Sequence, residues 1–445
     1  MSFYHYMIRR LFFFLAAIVL LLTACKDNDS FSTDRSHRLT FSTDTVRLDT
    51  LFSQVPSVTR TFWVFNNSGD GIRIRTVRLD RGNQSGFRVN VDGTFLNPVA
   101  SDFEVRKGDS IRVFVEITSH ENQQAEAQLV EDNLIFMLES GVEQRVNLRT
   151  YSWDALKLTN KEVASDEEME SSMPVVIYGQ GITVKEGATL TIRNTELYFH
   201  DGAGISVSGK LVLENVLLRG DRLDRMFPYL PYDRISGQWK GITLEAESAG
   251  IVMTDSELRS ADTGIKATNT NVQLTNSIIH NCKGHGLYTY NSKVSIENCL
   301  LSNCLNDCLS LHGGHVEVNT VTLAQFYPYS ANRGAALRFD KTEEEPLYLS
   351  CENTLATGYA DDVVFGQGWD GETVVLSFKN CLLRTGAVDD GDAFTDIIWE
   401  KPSDPIQGKL HFKLFDDTNF IYDFHVKEES PAYEKHIGWR GDSAQ

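Results

Sequence analysis

"VQLTNSII" (272–279) and "VSIENCLL" (294–301) are near copies of one short pattern, and they begin 22 residues apart. Each alternates apolar and polar residues as a strand does, then places an asparagine before a small residue and an apolar pair. The same pattern occurs in "TLTIRNTEL" (189–197), "LVLENVLL" (211–218) and "VLSFKNCLL" (375–383). Strand segments that recur every 21–22 residues predict a parallel β-solenoid, in which each repeat forms one coil.

The recurring asparagine or aspartate marks the coils along the chain. Its positions, separated by 21, 40, 21, 22, 21, 34 and 27 residues, are Asn194, Asn215, Asp255, Asn276, Asn298, Asn319, Asn353 and Asn380. The longer spacings predict loops inserted at 220–239 and 325–334, and long aromatic loops on a rigid scaffold often border a binding face. A leucine-rich repeat has a similar period, but this sequence lacks its helical half and its fixed leucines.

The repeat resembles the right-handed parallel β-helix family, which has the pectate-lyase-like fold. The resemblance implies an all-β domain at 173–400, followed by a C-terminal closing segment at 401–445. "HVKEESPAYEKHIG" (425–438) is similar to the tails that close such helices in bacterial surface proteins.

Residues 38–155 predict a second all-β domain. Alternation in "IRVFVEI" (111–117) and turns every 8–12 residues are typical of a β-sandwich. The apolar phase slips within "IRIRTVRL" (72–79), which predicts a β-bulge. The stretch resembles immunoglobulin-like modules of bacterial surface proteins, which serve as spacers or binding platforms. The acidic segment 156–172 is predicted to be a linker.

The first 24 residues have the features of an export signal. Two arginines precede an apolar run at 11–22 that is too short for a spanning helix, although an ordinary signal peptide or a buried helix are alternatives. "LTAC" (22–25) resembles a bacterial lipobox, which implies cleavage before Cys25 and a lipid anchor on it. The tether at 25–37 is similar to that of Bacteroides-like lipoproteins. This similarity implies an outer-membrane lipoprotein at the cell surface, with a periplasmic orientation as the alternative.

The charge of the chain limits its partners. The formal charge is −19, and it becomes −21 once Arg9 and Arg10 are removed with the signal. An acidic surface argues against nucleic acid as a partner, because nucleic-acid affinity comes mostly from Lys and Arg at phosphates. It also disfavours anionic glycans, unless a basic strip or calcium intervenes. We expect a monomer.

The stacking of coils predicts which side chains face outward. Parallel strands lie about 4.8 Å apart, so residues one coil apart are neighbours in space. Alternation along the second strand of each coil then places these residues inward: Ile205, Ile242, Ile265, Leu287, Leu309 and Leu337. The candidate ligand-binding residues occupy the outward positions of these strands or the turn before them, on one side of the solenoid: Lys240, Lys266, Tyr288, Tyr290, His312, Arg338 and Asp340.

His285 and Asp307 occupy the same turn on neighbouring coils, and they are our candidates for a catalytic general-base pair. Tyrosine faces suit sugar rings, while acidic, histidine and arginine side chains suit hydroxyl or carboxylate groups. The alternative is an ordinary solvated sheet face, whose outward residues must be polar in any case.

"NCLLSNCLNDCLSLHGGH" (298–315) raises the question of a metal site. Its cysteines fill repeat positions that small or apolar residues fill in other coils, and positions at different places around a coil cannot converge on one zinc ion. The sequence therefore predicts no metal site and cysteines that are buried thiols. A disulfide between Cys282 and Cys304, which share one position on neighbouring coils, stays open.

Two short motifs resemble those of polygalacturonases. "GHG" (284–286) and "NDC" (306–308) occur in reversed order, and Asn306 replaces one of the paired aspartates. The two-carboxylate mechanism of that family is therefore not implied. We expect no cofactor. Calcium is the remaining alternative at an acidic cluster that does not match an EF-hand loop: Asp389, Asp390, Asp392 and Asp396.

Three functions fit these observations. Glycan binding on the outward face is the preferred hypothesis. The alternatives are a polysaccharide lyase or glycoside hydrolase with a non-standard site, and a structural or adhesive surface protein with protein partners. The sequence leaves open whether the protein is an enzyme.

Overall fold

The computed structural model describes the chain in five stretches: residues 30–227, 229–244, 246–366, 372–388 and 391–441. The predicted signal peptide, the lipidation at Cys25 and the first residues of the tether (25–29) lie outside the described residues. No helix within these stretches is both long and apolar enough to cross a membrane. The described residues divide into two compact units, the first comprising 30–48, 54–120 and 129–151, the second 49–53, 121–128 and 152–441.

Eleven strands lie between residues 30 and 153. They are β1 (Leu39–Phe41), β2 (Thr45–Arg47), β3 (Leu51–Phe52), β4 (Arg60–Asn66), β5 (Ile72–Leu79), β6 (Phe87–Val91), β7 (Thr94–Phe95), β8 (Val99–Val105), β9 (Ser110–Ile117), β10 (Gln128–Leu138) and β11 (Glu143–Trp153).

The first unit contains two sheets. One has the order β1-β4-β9-β6-β7, and the other has the order β2-β11-β10-β5-β8. Phe41 of the first sheet contacts Phe136 of the second at 5.1 Å between ring centroids, so the sheets share a core. The register of β10 against β5 shifts between Met137 and Leu138, which confirms the predicted bulge.

The second unit is built around one sheet of 24 strands that runs from residue 156 to residue 399. Its strands are β12 (Leu156–Val163), β13 (Glu167–Glu170), β14 (Val175–Val184), β15 (Thr189–Phe199), β16 (Gly204–Val207), β17 (Lys210–Gly220), β20 (Ile242–Leu244), β21 (Gly250–Thr254), β22 (Glu257–Arg259), β23 (Ile265–Thr268), β24 (Asn271–Thr275), β25 (Ile278–His280), β26 (Leu287–Glu297), β27 (Leu300–Ser302), β28 (Leu309–Asn319), β29 (Thr322–Gln325), β30 (Leu337–Asp340), β31 (Leu347–Glu352), β32 (Leu355–Gly358), β33 (Val364–Gly366), β34 (Val374–Lys379), β35 (Leu382–Leu383), β36 (Phe394–Thr395) and β37 (Ile398–Trp399). The inserted loop carries a separate hairpin of β18 (Arg225–Phe227) and β19 (Leu230–Pro231).

Three 3-10 turns, one short α-helix and a C-terminal hairpin complete the described secondary structure. The hairpin pairs β38 (Phe412–Asp416) with β39 (Ile421–Val426), and the α-helix α1 (Pro431–Glu434) follows it. The 3-10 turns are Gly82–Gln84, Tyr232–Arg234 and Gly408–His411.

The coils turn at the recurring asparagines. Asn194, Asn276 and Asn298 have φ angles of 47°, 49° and 47°, in the left-handed region that asparagine tolerates better than most L residues. Their side chains also bond from coil to coil: Asn276 Nδ2 donates to Asp255 Oδ1 at 3.0 Å, and Asn298 Nδ2 donates to Asn276 Oδ1 at 2.9 Å. The asparagines thus form a ladder that fixes one corner of each coil in register.

One coil departs from the predicted series. Thr320, with a φ of 56°, takes the left-handed position where Asn319 was expected. Asn319 still accepts a hydrogen bond from Asn353 Nδ2 at 2.9 Å. The ladder therefore continues through Asn319, although the turn itself has moved one residue along the chain.

The inward positions are as predicted. The parallel registers align the following residues on successive coils, and all of them are buried: Ile205, Ile242, Ile265, Leu287, Leu309 and Leu337. The sequence predicted that the cysteines are buried thiols in the core. The six described cysteines are indeed buried free thiols: Cys282, Cys299, Cys304, Cys308, Cys351 and Cys381. The Cys282–Cys304 disulfide that the sequence left open is not formed.

The segment 156–172, predicted to be a linker, instead supplies the first coil. β12 pairs in parallel with β14, and β13 pairs with β15. Acidic side chains can occupy this coil because its glutamates reach basic partners one coil on, as in the pair of Glu168 with Arg193 at 3.2 Å. Composition alone suggested a linker because these outward positions contain few apolar residues.

The C-terminal segment lies along the side of the solenoid rather than closing its end. Phe412, Phe424 and Trp439 join a buried cluster with Leu300 of β27 and Leu355 of β32. The backbone after α1 also bonds to the asparagine corner, since the Arg440 N–H donates to Asn298 Oδ1 and the Gly438 N–H donates to the Asn353 carbonyl. The outward-facing leucines of these strands explain this placement, because they need an apolar cover.

Replacement of one asparagine of the ladder tests its contribution to stability. We expect Asn276→Ala to lower the free energy of unfolding by about 2–3 kcal/mol, because alanine disfavours the left-handed backbone and removes both ladder bonds. Asn276→Gly loses the same bonds but adopts the backbone freely, and should cost about 1 kcal/mol less. Urea unfolding of both variants measures the difference. Equal losses would contradict a role for the left-handed conformation.

Candidate functional site

The outward columns predicted from the sequence are present on neighbouring coils. The registers align Lys266 with Tyr288, Tyr288 with Ser310, and Ser310 with Arg338. A second column aligns Tyr290 with His312 and His312 with Asp340. The outward face of β23, β26, β28 and β30, together with the turns that precede these strands, is called the candidate face below.

Asp307 is the most constrained polar residue of the candidate face. It is only 4% exposed. Its Oδ1 accepts the Ala335 backbone N–H at 2.7 Å, and its Oδ2 accepts the Arg338 Nε–H at 2.9 Å. The Ser310 hydroxyl also donates to Oδ2, at 3.3 Å. With both oxygens occupied, Asp307 orients its neighbours and is poorly placed to receive a proton from a ligand.

His285 stands beside Asp307, as the sequence predicted for a stacked pair. The distance from its Nδ1 to Asp307 Oδ2 is 3.4 Å, and Nδ1 has no hydrogen-bond partner among the described residues. Burial lowers the pKa of His285 and outweighs the nearby Asp307 carboxylate, which favours protonation. The histidine is therefore mainly neutral at neutral pH and retains a nitrogen that can accept a proton.

Tyr288 and two histidine rings form a row. The Tyr288 centroid lies 5.3 Å from that of His285 and 5.0 Å from that of His312. His312 is held from both sides, because its Nδ1 lies 2.5 Å from Asp340 Oδ1 and its Nε2 lies 3.1 Å from Ser310 Oγ. The row is half-buried, so its rings are held in place and still reach the surface.

The remaining predicted residues are placed less uniformly. Burial raises the pKa of Tyr288, and the exposed Lys266 ammonium nearby partly offsets this rise. Tyr290 is half-buried in the neighbouring column. Lys240 does not join the cluster, since its ammonium donates to Gln180 at 3.1 Å on an earlier coil. Its turn position was predicted correctly, but the long side chain extends away from the later coils.

Two contributors were missed by the sequence interpretation. Ser310 links Asp307 to His312, although its outward column position was the only indication of this. Gly334 permits the inserted loop to approach Asp307, because a Cβ at this position would lie 2.7 Å from Asp307 Oδ1. A glycine at the end of a loop beside the candidate turn could have suggested a close backbone approach.

The described residues offer no site for a metal ion. Within the described stretches, no group of three or more His, Cys, Asp or Glu side chains is arranged to hold a metal ion. Of the acidic cluster considered for calcium, Asp389 and Asp390 lie outside the described residues, and Asp392 and Asp396 are exposed.

Comparison with known proteins shows the fold and little more. Residues 171–326 match a family model described as a right-handed β-helix region. A search of curated proteins gives no match. The catalytic unit of a thermostable GH87 α-1,3-glucanase from Streptomyces thermodiastaticus strain HF3-3 is 10% identical, with a TM-score of 0.30, over 77% of this chain and 89% of that one.

Two further solved structures resemble parts of the chain. The N-terminal domain of PorA is 17% identical over 26% of this chain and 97% of that one, with a TM-score of 0.20. A family 123 glycoside hydrolase from Clostridium perfringens is 8% identical over 28% of this chain, with a TM-score of 0.20, and the match spans only 26% of that hydrolase. Likenesses this weak support no statement about activity.

Removal of the Asp307 charge should destabilise the site. We expect Asp307→Asn to lower the free energy of unfolding by about 2–3 kcal/mol, because Arg338 loses its buried partner and Asn cannot accept from every present donor. Asp340→Asn is the matched control, and its half-exposed carboxylate should cost under about 1 kcal/mol. Chemical denaturation measures both variants. Similar losses would show that Asp307 is not an anchor.

The lowered pKa of His285 predicts a pH dependence of stability. The unfolded chain binds a proton at a pH of about 6.5, and the folded chain only at lower pH. The contribution of neutral His285 is therefore complete above about pH 6.5 and is lost as the pH falls toward its folded pKa. The free-energy advantage of wild type over His285→Gln should shrink between about pH 7 and pH 5. An advantage that grows on acidification would mean that Asp307 holds the folded imidazole protonated.

Proposed function

We propose that the candidate face binds a glycan. The observation that carries this proposal is the row of three rings, His285, Tyr288 and His312, with Arg338 and Asp340 beside it. Aromatic faces pack against the C–H surface of a sugar ring, while cationic and carboxylate groups bond to its hydroxyls. A row that crosses successive coils suits a linear chain of sugars, because each coil repeats the contact about 4.8 Å farther along.

The rigidity of the face favours binding. Asp307 has three donors and fixes Arg338, and His312 is held between Ser310 and Asp340. Side chains already held in one rotamer lose little entropy when a ligand arrives. Arg338 also lies over the Phe365 ring, with 5.3 Å from Cζ to the centroid, which limits its movement further.

Polysaccharide cleavage is the second candidate function, and His285 is the residue that favours it. A neutral imidazole whose Nδ1 faces a carboxylate is suited to act as a general base through Nε2, on the other side of the ring. In that case His285 is the catalytic residue and Asp307 is a positioning residue. The carboxylate pair of ordinary glycosidases is not part of this proposal, because Asp307 is already occupied by its three donors.

The proposal extends to the location of the protein. A lipid on Cys25 would tether the chain to the outer membrane, preferably at the cell surface, and an immunoglobulin-like first unit would act as a spacer. The two sheets of that unit are compatible with such a module. Under this proposal the β-helix is the part that meets a glycan, and it works as a monomer.

Glycan binding is tested with the chain from residue 26 onward on a glycan array, followed by titration of any glycan retained. We expect Tyr288→Ala to weaken binding about fivefold, because one stacking contact is worth about 1 kcal/mol. Tyr348→Ala is a matched control, since Tyr348 also stacks on a histidine, His315, at 4.5 Å but on another strand. Its affinity should equal that of wild type.

Two results would contradict the proposal: retention of no glycan, or equal loss in both tyrosine variants. Retention of a protein partner instead would favour the adhesive alternative. Incubation of the retained glycan with wild type and His285→Ala separates binding from cleavage. Under the second candidate function, new chain ends appear with wild type and not with the variant, which still binds.

A further inference from the structure

A crevice lies on another side of the second unit, at strands that are not part of the candidate face. Its volume is about 260 Å³. Its walls come from coil strands β22 and β25, from the inserted loop before β20 and from the C-terminal hairpin.

The two inserted loops and the C-terminal segment hold the crevice together. The hydroxyls of Ser236 and Tyr327 are 2.8 Å apart, and the Tyr329 hydroxyl donates to the Arg234 carbonyl at 2.7 Å. Tyr329 also packs against Phe420 of the hairpin, with 5.3 Å between centroids. The first inserted loop, expected from the sequence to border a binding face, thus lines this crevice through Arg234, and the second loop supports it through Tyr329.

Two residues of the crevice walls each have a polar atom that is buried without a partner. Neither Nε of Arg259 nor the hydroxyl of Tyr422 has a hydrogen-bond partner among the described residues. Buried polar groups are nearly always satisfied, and an exception at a crevice points to a bound molecule. Arg259 Nε–H is a donor, and the Tyr422 hydroxyl can both donate and accept, which matches a ligand rich in hydroxyl groups.

The charges of the crevice balance. Arg259 lies 3.4 Å from Glu257, and Asp423 accepts from His425, so both carboxylates have partners. Burial, and then the two nearby arginines, lower the pKa of His280 to about 3, which keeps that imidazole neutral. A carboxylate ligand would meet Glu257 and Asp423 as well as the arginines. The crevice therefore suits a neutral ligand better than an anionic one.

The crevice lining also contains apolar side chains. Ile278, Leu300, Phe424 and Trp439 supply apolar or aromatic surface beside the polar groups. Sugar rings have this division between a C–H face and hydroxyl edges. Pockets for larger organic ligands start at about 300 Å³. A crevice of 260 Å³ therefore limits the ligand to a single sugar residue or the end of a chain.

We propose that this crevice is a second carbohydrate site, which binds one neutral sugar residue through Arg259, Glu257 and Tyr422. It does not depend on the candidate face, because the two sites share no residue. A protein with both sites can hold a glycan at two points, which raises its overall affinity when the two attachments are simultaneous.

The test uses the chain from residue 26 onward and five free sugars: D-glucose, D-galactose, D-mannose, N-acetyl-D-glucosamine and D-glucuronate. Saturation-transfer NMR and titration measure binding to each. We expect at least one neutral sugar to bind with a millimolar dissociation constant, and glucuronate to bind more weakly. Tyr422→Phe removes only the unpartnered hydroxyl and should weaken binding about tenfold, whereas Tyr348→Phe should leave it unchanged.

A second variant keeps the proposal testable if Tyr422→Phe disturbs the hairpin, which thermal unfolding would reveal. Glu257→Gln preserves shape and removes a negative charge, so glucuronate should gain affinity relative to the neutral sugars. Three results would overturn the proposal: no sugar binds, wild type prefers glucuronate, or binding is lost in Tyr288→Ala and not in Tyr422→Phe. The last result assigns the sugar to the candidate face, so the two proposals fail separately.

Discussion

The stacked corner of left-handed asparagines is the constraint on which the rest of the second unit depends. A parallel coil must reverse direction within a few residues, and the side-chain amide both tolerates the backbone angle and bonds to the next coil. Asn276 does both, since its φ is 49° and its side chain donates to Asp255 and accepts from Asn298. Once this corner is aligned, every strand that leaves it is in register, and inward and outward positions follow. The candidate face is a consequence of that alignment.

The sequence predicted what the repeat encodes. The repeat period and the alternation of apolar residues were sufficient to predict the inward column and the stacking of His285 with Asp307. Both features depend only on the number of residues between one corner and the next. Thr320 shows the limit of this counting, since a turn can move by one residue while the ladder continues through Asn319. The first coil was predicted to be a linker because its outward positions are rich in glutamate. The partner that makes this composition compatible with a coil, Arg193, lies one coil away and is not evident from the segment itself.

Contacts made by insertions could not be predicted in the same way. Asp307 bonds to Ala335 and Arg338 across an inserted loop whose path has no period. The crevice depends on three distant segments, β22 and β25, the loop around Arg234 and the hairpin with Tyr422, and no spacing rule connects them. Lys240 shows the opposite case, in which the backbone position was correct and the side chain extended elsewhere to Gln180.

Buried and surface groups have different roles on the candidate face. Asp307 is buried and holds Arg338 and Ser310 through hydrogen bonds, while the half-buried ring row reaches the surface where the proposed glycan would stack. Hydroxyl-radical footprinting, with and without a retained glycan, tests this division most directly. Protection of Tyr288 and Tyr290, with Tyr348 reacting at an unchanged rate, is the predicted result. Protection of Tyr348 alone, or no protection at Tyr288, would contradict it.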